Sequence, residues 1–182
     1  RNCCIFARFF YRSMSHNEPQ WIVLYTKARA ERKVVETLQK AGFEAFLPLR
    51  RERRKWSDRY KIVDVPVLPS YVFVRMPVLS VSKLYGTRGM AYVVKFGGEI
   101  AVVPDQQIES LRTMMQHDMQ VTLHQTSLLK RHANVVVTGG DMKGCTGTVL
   151  KDCADGNFSI NIEVLNYSFI CTIDRSLLQV VD

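Results

Sequence analysis

The segment VVVTGGDMKGCTGTVL, residues 135–150, restricts this chain more than any other, because it sets four glycines between two β-branched runs. β-Branched residues lose side-chain freedom in a helix and suit a pleated strand, while glycine supplies turns that other residues enter only with strain. Its centre, GGDMKGCTGT, lies one residue from the phosphate-cradling pattern G-x-x-x-x-G-K-[ST], with Cys145 where that pattern has lysine. A phosphate loop needs a helix behind it, whose free N–H groups and dipole hold the anion. TGTVLKD, with β-branched Thr146, Thr148 and Val149, is strand sequence instead. The segment predicts strand, glycine turn and strand, with Gly139, Gly140, Gly144 and Gly147 easing the bend, and it speaks against a nucleotide-dependent enzyme.

The rest of the C-terminal third repeats that design. NVVVTG, TGTVLKD, SINIEVL, FICTID and LLQVV are five short strands in about fifty residues, separated by Gly, Asp and Asn turns such as DGN at 155–157. This fits a small closed β-barrel over residues 133–182. Upstream, HDMQVTLHQTSLLKRH at 117–132 has no clear period and reads as a linker, with room for a frayed helix end.

Residues 21–116 mix periods. WIVLYT is β-rich, and TKARAERKVVETLQKAG then places Ala30, Val34, Leu38 and Ala41 on one helical face, with Lys27, Arg32, Lys33 and Lys40 largely off it. Gly42 suits a left-handed stop. EAFLPL, KIVDVPV, YVFVRM, AYVVKF and EIAVV are short β-rich segments punctuated by Pro66, Pro69, Pro77 and the Gly97-Gly98 pair, which predicts a hairpin. DQQIESLRTMMQ, with Ile108, Leu111 and Met115 at helical spacing, predicts a second helix. The order points to an α+β fold, an antiparallel sheet flanked by helices.

Of the 182 residues 47% are hydrophobic, ample for a packed core. The longest apolar runs, WIVLY and NVVV, fall far short of the ~20 residues of a membrane span, so a soluble protein is expected. Twenty-five Lys and Arg against seventeen Asp and Glu give +8, which favours polyanionic partners where the charge is clustered. LRRERRKWSDRYK clusters it: Arg50, Arg51, Arg53, Arg54, Lys55, Arg59 and Lys61 stand against Glu52 and Asp58 around Trp56. Five cysteines without a C-x-x-C pair, and four histidines without metal-like spacing, predict reduced thiols in a cytoplasmic protein with no metal and no cofactor. Residues 1–20 form an N-terminal extension in which Arg8 and Arg12 interrupt any export core, and Met14 is a candidate natural start, the alternative being a mobile arm.

VVVTGGDMKGCTGTVL resembles the KOW motif of NusG-type transcription factors and some ribosomal proteins, a strand, glycine turn and strand within an SH3-like barrel. WIVLYTKARAERKVVETLQKAGFEAFLPL, VPVLPSYVFVRM and YGTRGMAYVVKFGGEIAVVPDQQIESL resemble the NusG N-terminal domain in order and over its length, so the resemblance covers residues 21–182. GTRGMAYVVKFGG is similar to the specialised paralogues of RfaH and UpxY type, the latter regulators of capsular polysaccharide operons. The resemblance implies an N-terminal domain at 21–116 that binds RNA polymerase, a linker at 117–132 and a five-stranded KOW barrel at 133–182.

It also implies site residues. Tyr71 and Phe73, with Tyr92 and Phe96 as weaker candidates, correspond to the apolar patch that docks on the polymerase clamp helices; ordinary core packing is the alternative. The basic run falls where the family has a variable hairpin near upstream DNA, so Arg50, Arg51, Arg53, Arg54 and Lys55 become phosphate contacts, against the plain reading of a solvated loop. Lys27, Lys33, Thr87 and Arg88 match positions that touch the non-template strand. Ser80, Val81 and Ser82 replace a His-Thr-Thr contact to the opposite polymerase lobe, which puts that contact in doubt. Met142, Asn166 and Tyr167 fall on barrel loops that recruit a small-subunit ribosomal protein or the Rho terminator, with barrel-end packing as the alternative. The implied protein is a monomeric, non-enzymatic elongation and antitermination factor of the cytoplasm and nucleoid. The runner-up is an RNA-binding protein of ribosomal KOW type.

Overall fold

Trp21, Ile22, Val23 and Leu24 are consecutive and all buried, which places strand β1 (Pro19–Thr26) in the middle of a sheet with both faces covered. The computed structural model to which this strand belongs describes residues 17–116, 122–125, 131–150, 157–165 and 167–181. Met14, Cys3, Cys4, Cys153, Asn166, the DGN turn up to residue 156, and the linker residues 117–121 and 126–130 lie outside them.

Backbone contacts gather the chain into two units, one holding the residues up to Phe46 and Ser70–Val102, the other Leu47–Pro69 and Val103–Asp182. In the first, β1 pairs antiparallel with β5 (Tyr71–Pro77), with Val23 opposite Phe73 and Tyr25 opposite Tyr71. β2 (Glu44–Phe46) lies on the far side of β5, and β6 (Met90–Val93) and β9 (Val102–Val103) pair with β1. Ile22, Leu24, Val72, Val74, Met76 and Val93 make one buried aliphatic face. Burying a side chain of this size stabilises by roughly 1.5–3 kcal/mol. Helix α1 (Glu31–Lys40) runs beside β2 and β5 with Val34 and Leu38 buried. Gly42, at φ +84, ends it in the left-handed region, and Phe43 donates back to the Leu38 carbonyl at 3.0 Å, as glycine-stopped helices do. A 3₁₀ helix (Val78–Leu84) follows β5. β7 (Lys95–Phe96) and β8 (Glu99–Ile100) close the expected hairpin, with Gly97 and Gly98 both at positive φ.

In the second unit, β3 (Leu49–Lys55) and β4 (Tyr60–Pro66) form a hairpin. Helix α2 (Asp105–Gln116) occupies its expected span and buries Ile108, Leu111 and Met114, with Met115 only half-buried. Beyond it, β10 (Thr122–Gln125), β11 (Arg131–Val137), β12 (Thr146–Leu150), β13 (Asn157–Val164), β14 (Tyr167–Asp174) and β15 (Leu178–Val180) form an antiparallel sheet in the order β10-β14-β13-β12-β11-β15. The five expected strands are present. β10 adds a sixth from within the expected linker, because Thr122–Gln125 finds an unpaired edge on β14. Among the described residues the path is open, from β10 at one edge to β15 at the other, so the closed barrel of the sequence reading is not the sheet observed.

Candidate docking and nucleic-acid surfaces

Register puts Tyr25, Tyr71 and Tyr92 side by side, because Tyr25 of β1 faces Tyr71 of β5 on one side and Tyr92 of β6 on the other. The Tyr25 and Tyr71 rings meet edge to face with centroids 5.2 Å apart, and Tyr25 and Tyr92 stack at 4.9 Å. Such pairs are worth about 0.5–1.5 kcal/mol beyond the area they bury. Tyr25 and Tyr71 are half-buried and Tyr92 is 52% exposed, so the three rings make a graded ledge at one end of the sheet. Phe73 does not join it. Although it shares the face of Tyr71, its ring is fully buried and stacks at 6.1 Å on Phe46, since β5 is covered on both faces at that point. This burial fits the core-packing alternative given for Phe73 rather than an exposed docking residue. Phe96, on β7, is exposed but belongs to the separate two-stranded hairpin.

Two loops join beside the ledge. The Lys27 N–H donates to the Gly89 carbonyl at 2.9 Å, and Met90 donates to Thr87 at 3.1 Å, which closes the turn carrying Arg88. Gly89 sits at φ +98 with the space for a Cβ taken by Ala30 and Val34 of the α1 start. Lys27 and Arg88 are exposed on the joined loops, Thr87 is half-buried, and Lys33 is exposed in the first turn of α1. A buried carboxylate steadies this corner. Glu31 Oε1 accepts from the Ser70 N–H at 2.8 Å, while the Ser70 carbonyl accepts from Thr26 at 2.8 Å and Ser70 itself holds φ +66.

The basic run is a hairpin with two chemically distinct faces, not a loop. Cross-strand partners share a face, so Arg51, Arg53 and Lys55 stand with Tyr60, Ile62 and Asp64, and Arg50, Glu52 and Arg54 with Lys61, Val63 and Val65. On the first face the Arg53 guanidinium lies 4.1 Å from the Tyr60 ring centroid. On the second, Glu52 holds Arg50 at 3.5 Å and Arg54 at 3.1 Å, and Lys61 Nζ lies 5.8 Å from the Trp56 centroid. Trp56 donates its N–H to the Arg59 carbonyl at 2.7 Å, which leaves Ser57 and Asp58 as the tip.

In the C-terminal sheet Gly140 and Gly144 take φ +69 and +87 and turn β11 into β12, while Gly147 lies within β12 opposite Val135. A strand follows the turn, as expected, so no helix N-terminus is there to receive phosphate. Met142, a candidate docking residue with barrel-end packing as its alternative, is buried. The Cys145 N–H returns to the Met142 carbonyl at 3.0 Å, which closes the turn, and Met142 lines a hollow together with Gly139, Gly140, Ile173 and Leu177. Tyr167 is half-buried at the start of β14. The described cysteines Cys145 and Cys171 are buried and form no disulfide, and no His, Cys, Asp and Glu cluster able to hold a metal ion occurs among the described residues. Nor is any described helix long and apolar enough to cross a membrane.

Tyr25, Glu31 and Ser70 had no part in the sequence reading. Tyr25 was open to discovery as the outward residue at the end of a WIVLYT strand, but its partners are set by register alone.

The family described as "Transcription termination factor nusG" matches residues 19–112, more than half of the chain. The solved structure described as "Domain interaction in Thermotoga maritima NusG" aligns with a TM-score of 0.50 and 15% identity, over 92% of this chain and 100% of that one. A further structure, "MjSpt4:Spt5 complex conformation A", aligns with a TM-score of 0.30 and 14% identity, over 89% of this chain and 98% of that one.

Proposed function

Because the chain belongs to the NusG family, we propose that it is a transcription elongation and antitermination factor that attaches to RNA polymerase and adds no chemistry of its own. The observation that carries this reading is the tyrosine ledge of Tyr25, Tyr71 and Tyr92 on the matched segment, half-exposed where a sheet interior has no need of three polar-tipped rings. In this reading the ledge, with Phe96 nearby in sequence, docks on the clamp helices. Lys27, Lys33, Thr87 and Arg88 meet the non-template strand from loops fixed by the Lys27–Gly89 hydrogen bond. Arg50, Arg51, Arg53, Arg54 and Lys55 meet DNA phosphates. Residues 133–182, joined by β10 and the start of β11 from the expected 117–132 linker, serve as a KOW domain, with Tyr167 and Asn166 as its candidate contacts for a small-subunit ribosomal protein or Rho. The TRG turn, Thr87–Gly89, favours a specialised paralogue of RfaH or UpxY type serving one operon, with capsular polysaccharide genes as the first to examine. The protein works as a monomer in the cytoplasm.

The test is a binding assay with purified polymerase core. A Tyr71→Ala, Tyr92→Ala chain is expected to stay folded and to bind at least about thirtyfold more weakly, since truncating a central interface aromatic typically costs ~2 kcal/mol or more. Unchanged binding sinks the docking ledge. A second reading, an RNA-binding protein of ribosomal KOW type, draws on the basic hairpin; it requires affinity for structured RNA in the absence of polymerase and indifference to the tyrosine changes.

A further inference from the structure

We infer that Trp56 and the cations on its side of the hairpin form a stacking site for an unpaired DNA strand. This rests on the reading that the hairpin meets DNA, and adds which form of DNA it takes and which residue selects it.

Three observations converge on the tip. First, the indole projects where the hairpin ends, 54% exposed, beyond a turn of only Ser57 and Asp58. A large flat side chain half in water at a tip has a π-face within reach of a partner. Second, its surroundings are cationic in a way the free hairpin pays for. Arg54 and Lys61 are direct cross-strand partners of like charge, a pairing that destabilises a strand pair and that Glu52, 3.1 Å from Arg54, offsets in part. Lys61 is held only by its 5.8 Å approach to the indole, near the limit of a cation–π contact, so its flexible stem can swing to a phosphate. An anion between Arg54 and Lys61 relieves the repulsion. Third, the other exposed ring of the hairpin, Tyr60, carries the Arg53 guanidinium at 4.1 Å, a closer cover than Lys61 at 5.8 Å over Trp56, so the indole is the more open of the two rings.

A ring flanked by cations that reach phosphate is the general means of holding single strands, because every base has a face that stacks. In a duplex those faces are covered by neighbouring base pairs, and an indole at a hairpin tip reaches only phosphates and groove edges. The strand residues of this face have one carboxylate, Glu52, and Arg50 and Arg54 engage it.

Tryptophan emission of the full chain reads the event directly. There are two tryptophans, and Trp21 is only 2% exposed, so a ligand that stacks quenches Trp56. The probes are a mixed-sequence single-stranded DNA of about 12 nucleotides, its duplex, and an RNA of the same sequence, at one salt concentration. The expected result is quenching by the single strand and affinity about tenfold above that for the duplex, the size of one stacked base. Trp56→Leu is expected to remove that preference while leaving duplex affinity unchanged, and Trp56→Phe to keep most of it. Equal affinity for single strand and duplex, with emission unquenched, overturns the stacking site but leaves the hairpin–DNA reading standing. Tighter binding of the RNA overturns the assignment to DNA. Binding of neither DNA form removes both readings together.

Discussion

Gly89 carries two constraints at one position. Its φ of +98 disfavours any side chain, and a Cβ there would meet Ala30 Cβ at 3.0 Å and Val34 Cγ2 at 3.2 Å. Gly86 has a similar φ of +96 but open space around it. Gly86→Ala is therefore expected to lose about 1 kcal/mol, the backbone cost alone, and Gly89→Ala about 2–3 kcal/mol. Urea denaturation of the two variants side by side separates strain from crowding, and equal losses would show that α1 yields. Glu31 is a second residue with an outsized role. Glu31→Ala orphans the Ser70 N–H and is expected to cost about 1–3 kcal/mol, whereas Glu31→Gln keeps an acceptor and most of the stability. Gly42 was legible in the sequence because a glycine after an amphipathic run has one common meaning; Glu31 was not, because its partner lies 39 residues away and a glutamate on a basic helix reads as solvent-facing. Asp174 gives a pH marker. The Ser176 N–H, and then its hydroxyl, hold the carboxylate below its ordinary range. Its folded form thus favours the charged state, so its contribution is present above the unfolded aspartate pKa and is lost as pH falls through the lowered value. Asp174→Asn is expected to flatten stability over that acidic window, measured by thermal melts across pH.

At the scale of elements, the hairpin invites a quantitative test. Changing Arg50, Arg51, Arg53 and Arg54 to Ser is expected to weaken DNA association with little sequence preference, and to reduce the slope of log K against log salt by about 0.9 per lost phosphate contact on duplex. An unchanged slope returns the hairpin to a solvated arm. Glu52 already neutralises Arg50 and Arg54 in part, and Asp64 stands across from Arg51, so the slope is expected to fall by less than four full contacts. Helices α1 and α2 and the Gly97-Gly98 hairpin were readable because periodicity and glycine pairs are local signals. Phe73 misled for a nonlocal reason. Alternation along YVFVRM separates two faces but cannot tell that both are covered, and Val72, Phe73 and Val74 are all fully buried. β10 was invisible in the sequence because four residues without a clear period become a strand only when β14 offers an edge.

For the whole molecule, the C-terminal sheet bears on whether this region can rest in another form. The β-branched runs and glycines of 131–180 oppose a helical alternative, since each glycine costs a helix interior about 1 kcal/mol relative to Ala. Backbone carbon shifts of the full chain are expected to be strand-like across 131–137, 146–150, 157–164 and 167–174, and helical values there would contradict the fold. The sheet of the first unit has a different property, fixed by its order β2-β5-β1-β6. Its two central strands are separated in the chain by β2, β3 and β4, so β1 has no partner while it is being synthesised until residues 71–77 have left the ribosome. The hairpin of β3 and β4 is contiguous and needs only its own tip. Emergence from the ribosome therefore has a built-in sequence: the cationic arm can assemble first, and the tyrosine ledge, which waits for Tyr92, exists on no shorter nascent chain.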